Sequence, residues 1–238
     1  MKLTFWLGCL VAILCVLAIP PRAIAHGYDE ETEAAWVNAQ DSARDAFEKG
    51  DFPLAEKHLL DAIEHAEEFG DKDERLAITL NNLAVLYSSQ DKFDKATPLL
   101  RRAVEVWENA VGADSPQVAQ GYSNLATLYI NQHKYGDAEP MFRLALAVHE
   151  KTRGSEDPLV GKDLHYLAEL LSETKKYSEA EPLYKRSLAI AERAFGPDGI
   201  AVGFTLENYA RMLRLTGRAK EAEPLEARAR SIQEKQSR

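Results

Sequence analysis

Apolar residues recur along this chain at helical spacing, and the helices they predict recur at a fixed interval of 42 residues. Between Ala77 and Val118, Leu80, Leu83, Ala84 and Tyr87 fall at i, i+3, i+4 and i+7, one apolar stripe on a helix. Gln90-Asp91-Lys92 breaks the stripe. Phe93 then begins a second helix, with Asp94 as its N-cap and Pro98 in its first turn, where a missing backbone donor costs least. Its stripe is Ala96, Leu99, Leu100, Ala103 and Val104. Gly112 suits a left-handed stop, and Ser115-Pro116 reads as the N-cap and first residue of the next helix.

The 42-residue step repeats these signals. It links Asn82-Leu83-Ala84 to Asn124-Leu125-Ala126, Tyr166-Leu167-Ala168 and Asn208-Tyr209-Ala210. It also carries Ala96 to Ala138, Ala180 and Ala222, and Pro98 to Pro140, Pro182 and Pro224. Gly154 and Gly196 recur as stops and Asp157-Pro158 as a restart, while Phe93, Tyr135 and Tyr177 fill the turns. A period of roughly 20–50 residues marks a solenoid whose units bury their apolar faces against neighbours. The expectation is an all-α solenoid of about five helix pairs, near 36–76, 77–118, 119–160, 161–202 and 203–232. The first unit is one residue shorter, with Ser42 where leucine is expected. The last carries Glu226 and Arg230 where Leu100 and Val104 stood, and polar end units keep a finite solenoid from stacking on itself. Residues 26–35 and 233–238 read as frayed tails.

The segment Tyr122-Ser123-Asn124-Leu125-Ala126-Thr127-Leu128-Tyr129, followed by Lys134-Tyr135-Gly136-Asp137-Ala138-Glu139-Pro140 and a helix ending at Gly154, resembles a tetratricopeptide repeat (TPR). It is most similar to the 42-residue variety of kinesin light chain and many bacterial proteins, and the resemblance covers about residues 36–232. The resemblance implies a right-handed superhelix of antiparallel helix pairs, whose first helices line a concave groove for a peptide or protein. Asn82, Asn124 and Asn208 then become groove residues, with Tyr166 breaking the series. Asn81, Gln120, Asn131, Lys162, His165, Phe204 and Arg211 are further candidates for partner contact. A side-chain amide offers an acceptor and two donors, so it can hold a peptide main chain without reading its sequence. The same asparagines can instead bond the adjacent repeat and fix the register. Some TPR proteins clamp a chaperone's terminal carboxylate with basic residues and asparagine. The corresponding places here hold Ile78 with Asn82, Gln120 with Asn124 and Lys162 with Tyr166, and one basic residue does not make that clamp.

The N-terminus changes where this scaffold is expected to work. Lys2, an apolar run from Leu3 to Ile19, Pro20-Pro21 and Ala23-Ile24-Ala25 read as a signal peptide over 1–25, cleaved after Ala25. The rival is an uncleaved anchor, for which the run is at the short limit. A lipoprotein fits poorly, because neither Cys9 nor Cys15 sits where a lipidated cysteine is wanted. Both cysteines leave with the signal, so the exported chain, periplasmic or secreted, holds together by packing alone. Loss of Lys2 and Arg22 takes the net charge from −9 to −11, which argues against nucleic acid and anionic membrane surfaces as partners.

Reactive chemistry is sparse. No G-x-S-x-G, no P-loop and no mature cysteine is present, and no cofactor motif is found. Glu139, Glu181 and Glu223 follow the period and read as helix-start acids rather than an active site. Trp36 and Trp107 lie in apolar stripes and read as packing residues. His58, Asp61 and His65 share a predicted helix face, but two turns, about 10 Å, separate the histidines, too far for one ion. His26 would head the processed chain, where an α-amine and an imidazole chelate copper(II). The expected function is a non-enzymatic exported scaffold binding a peptide or protein in its groove. The rivals are an envelope copper binder using His26 or the His58/His65 face, and a self-assembling structural module.

Overall fold

The computed structural model describes residues 30–237. The signal-peptide and His26 readings therefore lie outside the described residues. Within them the chain forms α1 (Glu30–Glu48), α2 (Phe52–Glu68), α3 (Glu74–Ser88), α4 (Phe93–Val111), α5 (Pro116–Asn131), α6 (Tyr135–Arg153), α7 (Pro158–Glu173), α8 (Tyr177–Phe195), α9 (Ile200–Leu215) and α10 (Ala219–Gln236). Consecutive helices pack as pairs, each first helix against the second that follows it. Two compact units result, one ending at Ala113 with α1–α4 and one starting at Asp114 with α5–α10.

The turn inside each pair is built from backbone geometry. In the C-terminal unit the N–H of Lys134 returns to the Tyr129 carbonyl at 2.8 Å, Lys176 to Leu171 at 2.7 Å and Arg218 to Leu213 at 2.9 Å. In the N-terminal unit Lys92 returns to Tyr87 at 2.9 Å. This six-to-one bond closes a Schellman motif, whose penultimate residue needs positive φ. That place holds Asp91 (57°), His133 (58°), Lys175 (62°) and Gly217 (76°).

The second helices stop differently from the expectation. Gly112, Gly154 and Gly196 have φ of 88°, 89° and 76° with ψ of 153°, 156° and 169°. That is the mirror-extended region reserved for glycine rather than the left-handed helical one. Three units then restart on a side-chain cap, Asp73 accepting from the Arg75 N–H, Ser115 from Val118 and Asp157 from Leu159, whereas the last restarts at Gly199 without one.

Two local expectations are corrected. Lys92, not Asp94, holds the cap position of α4, without a side-chain cap bond, because the Schellman turn feeds straight into the helix. Pro98, Pro140, Pro182 and Pro224 sit inside their helices beyond the first turn, all exposed, where water can replace the withdrawn donor. The ends also reach further than expected. Acids at Glu30, Glu31 and Glu33 favour the positive end of α1, so residues 30–35 are helical. Lys235 pairs with Asp198 at 2.7 Å and helps hold the last turn of α10.

Alanine carries the close packing. Ala96, Ala138, Ala180 and Ala222 are fully buried, as are Ala126, Ala168 and Ala210. Larger side chains fill the remaining interior, Leu76, Leu80 and Leu83 in the N-terminal unit and Phe142, Leu164, Leu167 and Tyr184 in the C-terminal one. Trp36 and Trp107 are buried among them.

Candidate partner-binding face

In the N-terminal unit a chain of polar side chains runs from α1 to α3. Thr79, fully buried, gives its hydroxyl hydrogen to the Arg75 carbonyl at 2.8 Å. Its oxygen accepts from Trp36 Nε1 at 2.9 Å and from Gln40 Nε2 at 2.6 Å. Gln40 Oε1 then accepts from Asn82 Nδ2 at 3.0 Å. Asn82 is thus pinned by its nitrogen, and Oδ1 of this half-buried amide remains for an N–H donor.

The C-terminal unit repeats the device between α7 and α9. Thr205 donates to the Ala201 carbonyl at 2.9 Å, so its oxygen can only accept from His165 Nδ1, 3.3 Å away. Asn208 Nδ2 lies 3.2 Å from His165 Nε2, and an amide nitrogen only donates. His165 is therefore the neutral Nδ1–H tautomer, accepting at Nε2. Burial first, and the charge of Arg211 second, push its imidazole down to about 4. Asn124 on α5 accepts through Oδ1 from Gln120 Nε2 at 2.8 Å.

Around this pair stand the other expected contacts. Tyr166 stacks on Phe142 with centroids 6.0 Å apart, and the Lys162 ammonium lies 5.9 Å from the Tyr166 ring centre. Arg211 bridges Glu169 at 3.3 Å and Glu173 at 3.2 Å. Burial raises the Glu169 carboxyl pKa above the usual range against the pull of Arg211. Phe204 is exposed on α9, and Asn131, half-buried, ends α5. One expected contact is corrected: Asn81 is fully buried and out of a ligand's reach. α3 is covered on two sides, so the face one residue before Asn82 points inward.

Beneath this face, His149 Nδ1 lies 2.6 Å from Asp163 Oδ2, and Ser123 Oγ donates to Asp163 Oδ1 at 3.2 Å. All three are buried. The carboxylate stands between hydroxyl and imidazole, and the cluster ties α5, α6 and α7 together. His58 and His65 pair separately with Asp61 (3.9 Å) and Glu68 (3.4 Å). Among the described residues no group of three or more metal-ligating side chains converges, and no helix is long and apolar enough to cross a membrane.

The periodic glutamates do more than favour helix starts. Glu181 accepts from Arg218 at 2.6 Å, Lys185 at 2.7 Å and Tyr209 at 2.9 Å, which ties α8 to the following pair. Arg218 first, then Lys185, hold its carboxyl at about 2. Glu139 likewise bridges Arg143 at 2.9 Å and Lys176 at 2.8 Å. Sequence reasoning missed Gln40, Thr79, Thr205 and Asp163. Thr79 and Thr205 left a signal, since they share one place in the repeat.

The arrangement matches known folds. No curated protein matches the chain by sequence. The crystal structure of BtubC (BKLC) from P. vanneervenii is similar at TM-score 0.78 and 22% identity, covering 98% of this chain and 92% of that one. The kinesin-light-chain TPR-like repeats of Podosopora anserina give 0.71 at 20% identity, over 90% and 100% of the two chains. A Rap protein complexed with Competence and Sporulation Factor gives 0.62 at 15% identity, covering 87% of this chain and 66% of that one. These likenesses show a TPR-type α-solenoid. The tetratricopeptide-repeat model matches residues 32–109, 80–151, 117–193 and 163–235, and the chain belongs to the tetratricopeptide-repeat family.

Proposed function

We propose that this protein is an exported, non-enzymatic scaffold that binds an extended peptide segment of a partner protein on its first-helix faces. Asn82 serves the N-terminal unit; Asn124 and Asn208 serve the C-terminal one. The observation that carries the reading is the half-buried amide pinned at one end and left open at the other: the Asn82 nitrogen on Gln40 and the Asn208 nitrogen on His165. Asn124 accepts through its oxygen from Gln120. An extended peptide presents N–H groups that the open oxygens of such amides accept. Their pinning lowers the ordering cost of binding. Phe204, Tyr166 and Lys162 supply apolar and cationic contacts for ligand side chains. Export rests on the Lys2-to-Ala25 pattern. A Rap protein of similar fold was solved with Competence and Sporulation Factor bound, which supports a peptide or protein as the ligand class.

The test is capture of partners by the tagged, signal-processed protein from its own cell envelope, with the triple variant N82A/N124A/N208A alongside. A partner held by the native protein and lost by a folded triple variant is the expected result. Full retention by a variant with unchanged circular dichroism overturns the reading.

A further inference from the structure

We propose that His165 is a positioning residue for Asn208: in its neutral form it fixes the amide with Nδ2 inward and Oδ1 outward, so this subsite takes an N–H donor and loses that polarity when the imidazole gains a proton. The inference rests on the proposed function only in giving Asn208 a ligand. The amide orientation itself is testable without one.

The two units supply an internal comparison. Thr79 and Thr205 occupy one place in the repeat, and Asn82 and Asn208 another, each pair three periods apart. The group that joins threonine to asparagine differs. Because the first unit is one residue shorter, Gln40 lies one step of 41 before Asn81 and Asn81 two steps of 42 before His165, so Gln40 and His165 share one place in the repeat. Both nevertheless do the same work. Gln40 donates to the threonine oxygen through Nε2 and accepts from the asparagine through Oε1. His165 donates through Nδ1 and accepts through Nε2. Thr205 fixes that tautomer because its one hydrogen is spent on Ala201.

A glutamine keeps its acceptor at any pH in the folded range, but an imidazole does not. Protonated His165 would set Nε2–H against the Asn208 Nδ2 hydrogens, two donors 3.2 Å apart. Turning the amide over relieves the conflict by offering Oδ1 to the ring, and then presents NH2 where the acceptor had been. The surroundings oppose the charge. α9 brings Arg211 toward the ring and α8 brings Tyr184, with ring centroids 6.1 Å apart. On its own helix Tyr166 lies edge-on at 5.5 Å, and Glu169 one turn along is engaged by Arg211. From α6 the Phe142 ring reaches the cluster against Tyr166. Burial first and Arg211 second hold the imidazole neutral until about pH 4.

The experiment follows the side-chain amide resonances of Asn208 and Asn82, and the ring nitrogens of His165, in the full chain from about pH 7 to about pH 3.5. At neutral pH the ring should show a protonated Nδ1 and a bare Nε2. On acidification the Asn208 pair should move with the same midpoint as the ring, while Asn82, held by Gln40, stays. H165Q should keep the neutral-pH position of Asn208 and abolish the movement, because glutamine restores the donor and acceptor that Gln40 supplies. An Nε2–H tautomer at neutral pH overturns the proposal. So does an Asn208 pair that stays flat through the ring titration, or one that still moves in H165Q. If the chain unfolds before the ring titrates, the neutral-pH tautomer and the Asn208 position in H165Q decide it. Full retention of partner binding by N208A would count against the ligand-facing role and leave the amide orientation standing.

Discussion

Gly161→Ala sets two effects of opposite sign against each other. Gly161 lies inside α7 and is fully buried, so alanine there should gain about 1 kcal/mol of helix propensity. Its Cβ, however, would fall 2.8 Å from Ile190 Cγ2 and 3.2 Å from Ile190 Cβ. Ile190 is buried in α8 and cannot swing away, because a β-branched side chain in a helix has essentially one χ1 rotamer. The backbones are also tied at this crossing, where Ser187 Oγ donates to the Gly161 carbonyl at 2.7 Å. Overpacking of this kind costs about 1–3 kcal/mol. The clash wins, and G161A should be about 0.5–2 kcal/mol less stable than the native chain.

Other repeats show how the conflict is resolved. The same two places hold Ala77 with Val106, Ala119 with Val148, Gly161 with Ile190 and Gly203 with Ile232. Alanine goes with valine and glycine with isoleucine. I190V alone should cost about 1 kcal/mol for its lost methyl. The double variant G161A/I190V recreates the Ala119/Val148 pair and should return to within about 0.5 kcal/mol of native, a coupling of about 1–2 kcal/mol. Urea unfolding of the four proteins, with unchanged m-values, measures this cycle. A G161A protein as stable as native, or a double variant equal to the sum of the singles, would refute the reasoning. Gly203 is the control: its added Cβ meets Ile232 Cγ2 at 3.3 Å, where a small shift suffices, so G203A should be neutral or slightly stabilising.

Lys175 carries the positive φ that the Schellman turn after α7 requires (62°), a conformation costing an L-residue about 1–2 kcal/mol. K175G should therefore gain about 0.5–1 kcal/mol once glycine's extra unfolded-state freedom is deducted, and a melting temperature equal to or below native would contradict this. Glu181 has a depressed carboxyl, so its stabilisation is present above the ordinary carboxylate range and is lost as pH falls through about 2. Its side chain is 20% exposed, so the ion pairs with Arg218 and Lys185 are credited with about 1–2 kcal/mol after screening. E181Q should lose that amount at neutral pH, and the gap should close between about pH 4.5 and about pH 2. A constant gap across that window would remove the ion pairs as its cause.

The period of 42 made the fold legible because every strong signal repeats with it: small alanines, the Ser115 and Asp157 caps, the glycine stops. Details that depend on three-dimensional neighbours were less legible. Asp94 looks like a cap from its residue type, but the backbone turn before α4 leaves it no capping role. Asn81 looks like a neighbour of Asn82 in a groove. A first helix flanked by partners on two sides buries most of its circumference, and the amphipathic stripe does not announce this. The polar relays were the least visible. Each partner comes from another repeat and can change residue type at a shared place, as His165 does relative to Gln40.

The two readings of the repeated asparagines, register lock and ligand contact, therefore do not compete. An amide has a donor end and an acceptor end, and in Asn82 and Asn208 the neighbouring repeat takes the donor end. The bond that sets the register also decides which atom remains for a ligand. A free asparagine would offer either end and lose rotamer freedom on binding; a pinned one has already lost it. Asn124 also accepts through its oxygen from Gln120, its i, i+4 neighbour on the same helix. The chemistry of the face is thus encoded less in Asn82 and Asn208 than in the residues behind them, Gln40 and His165.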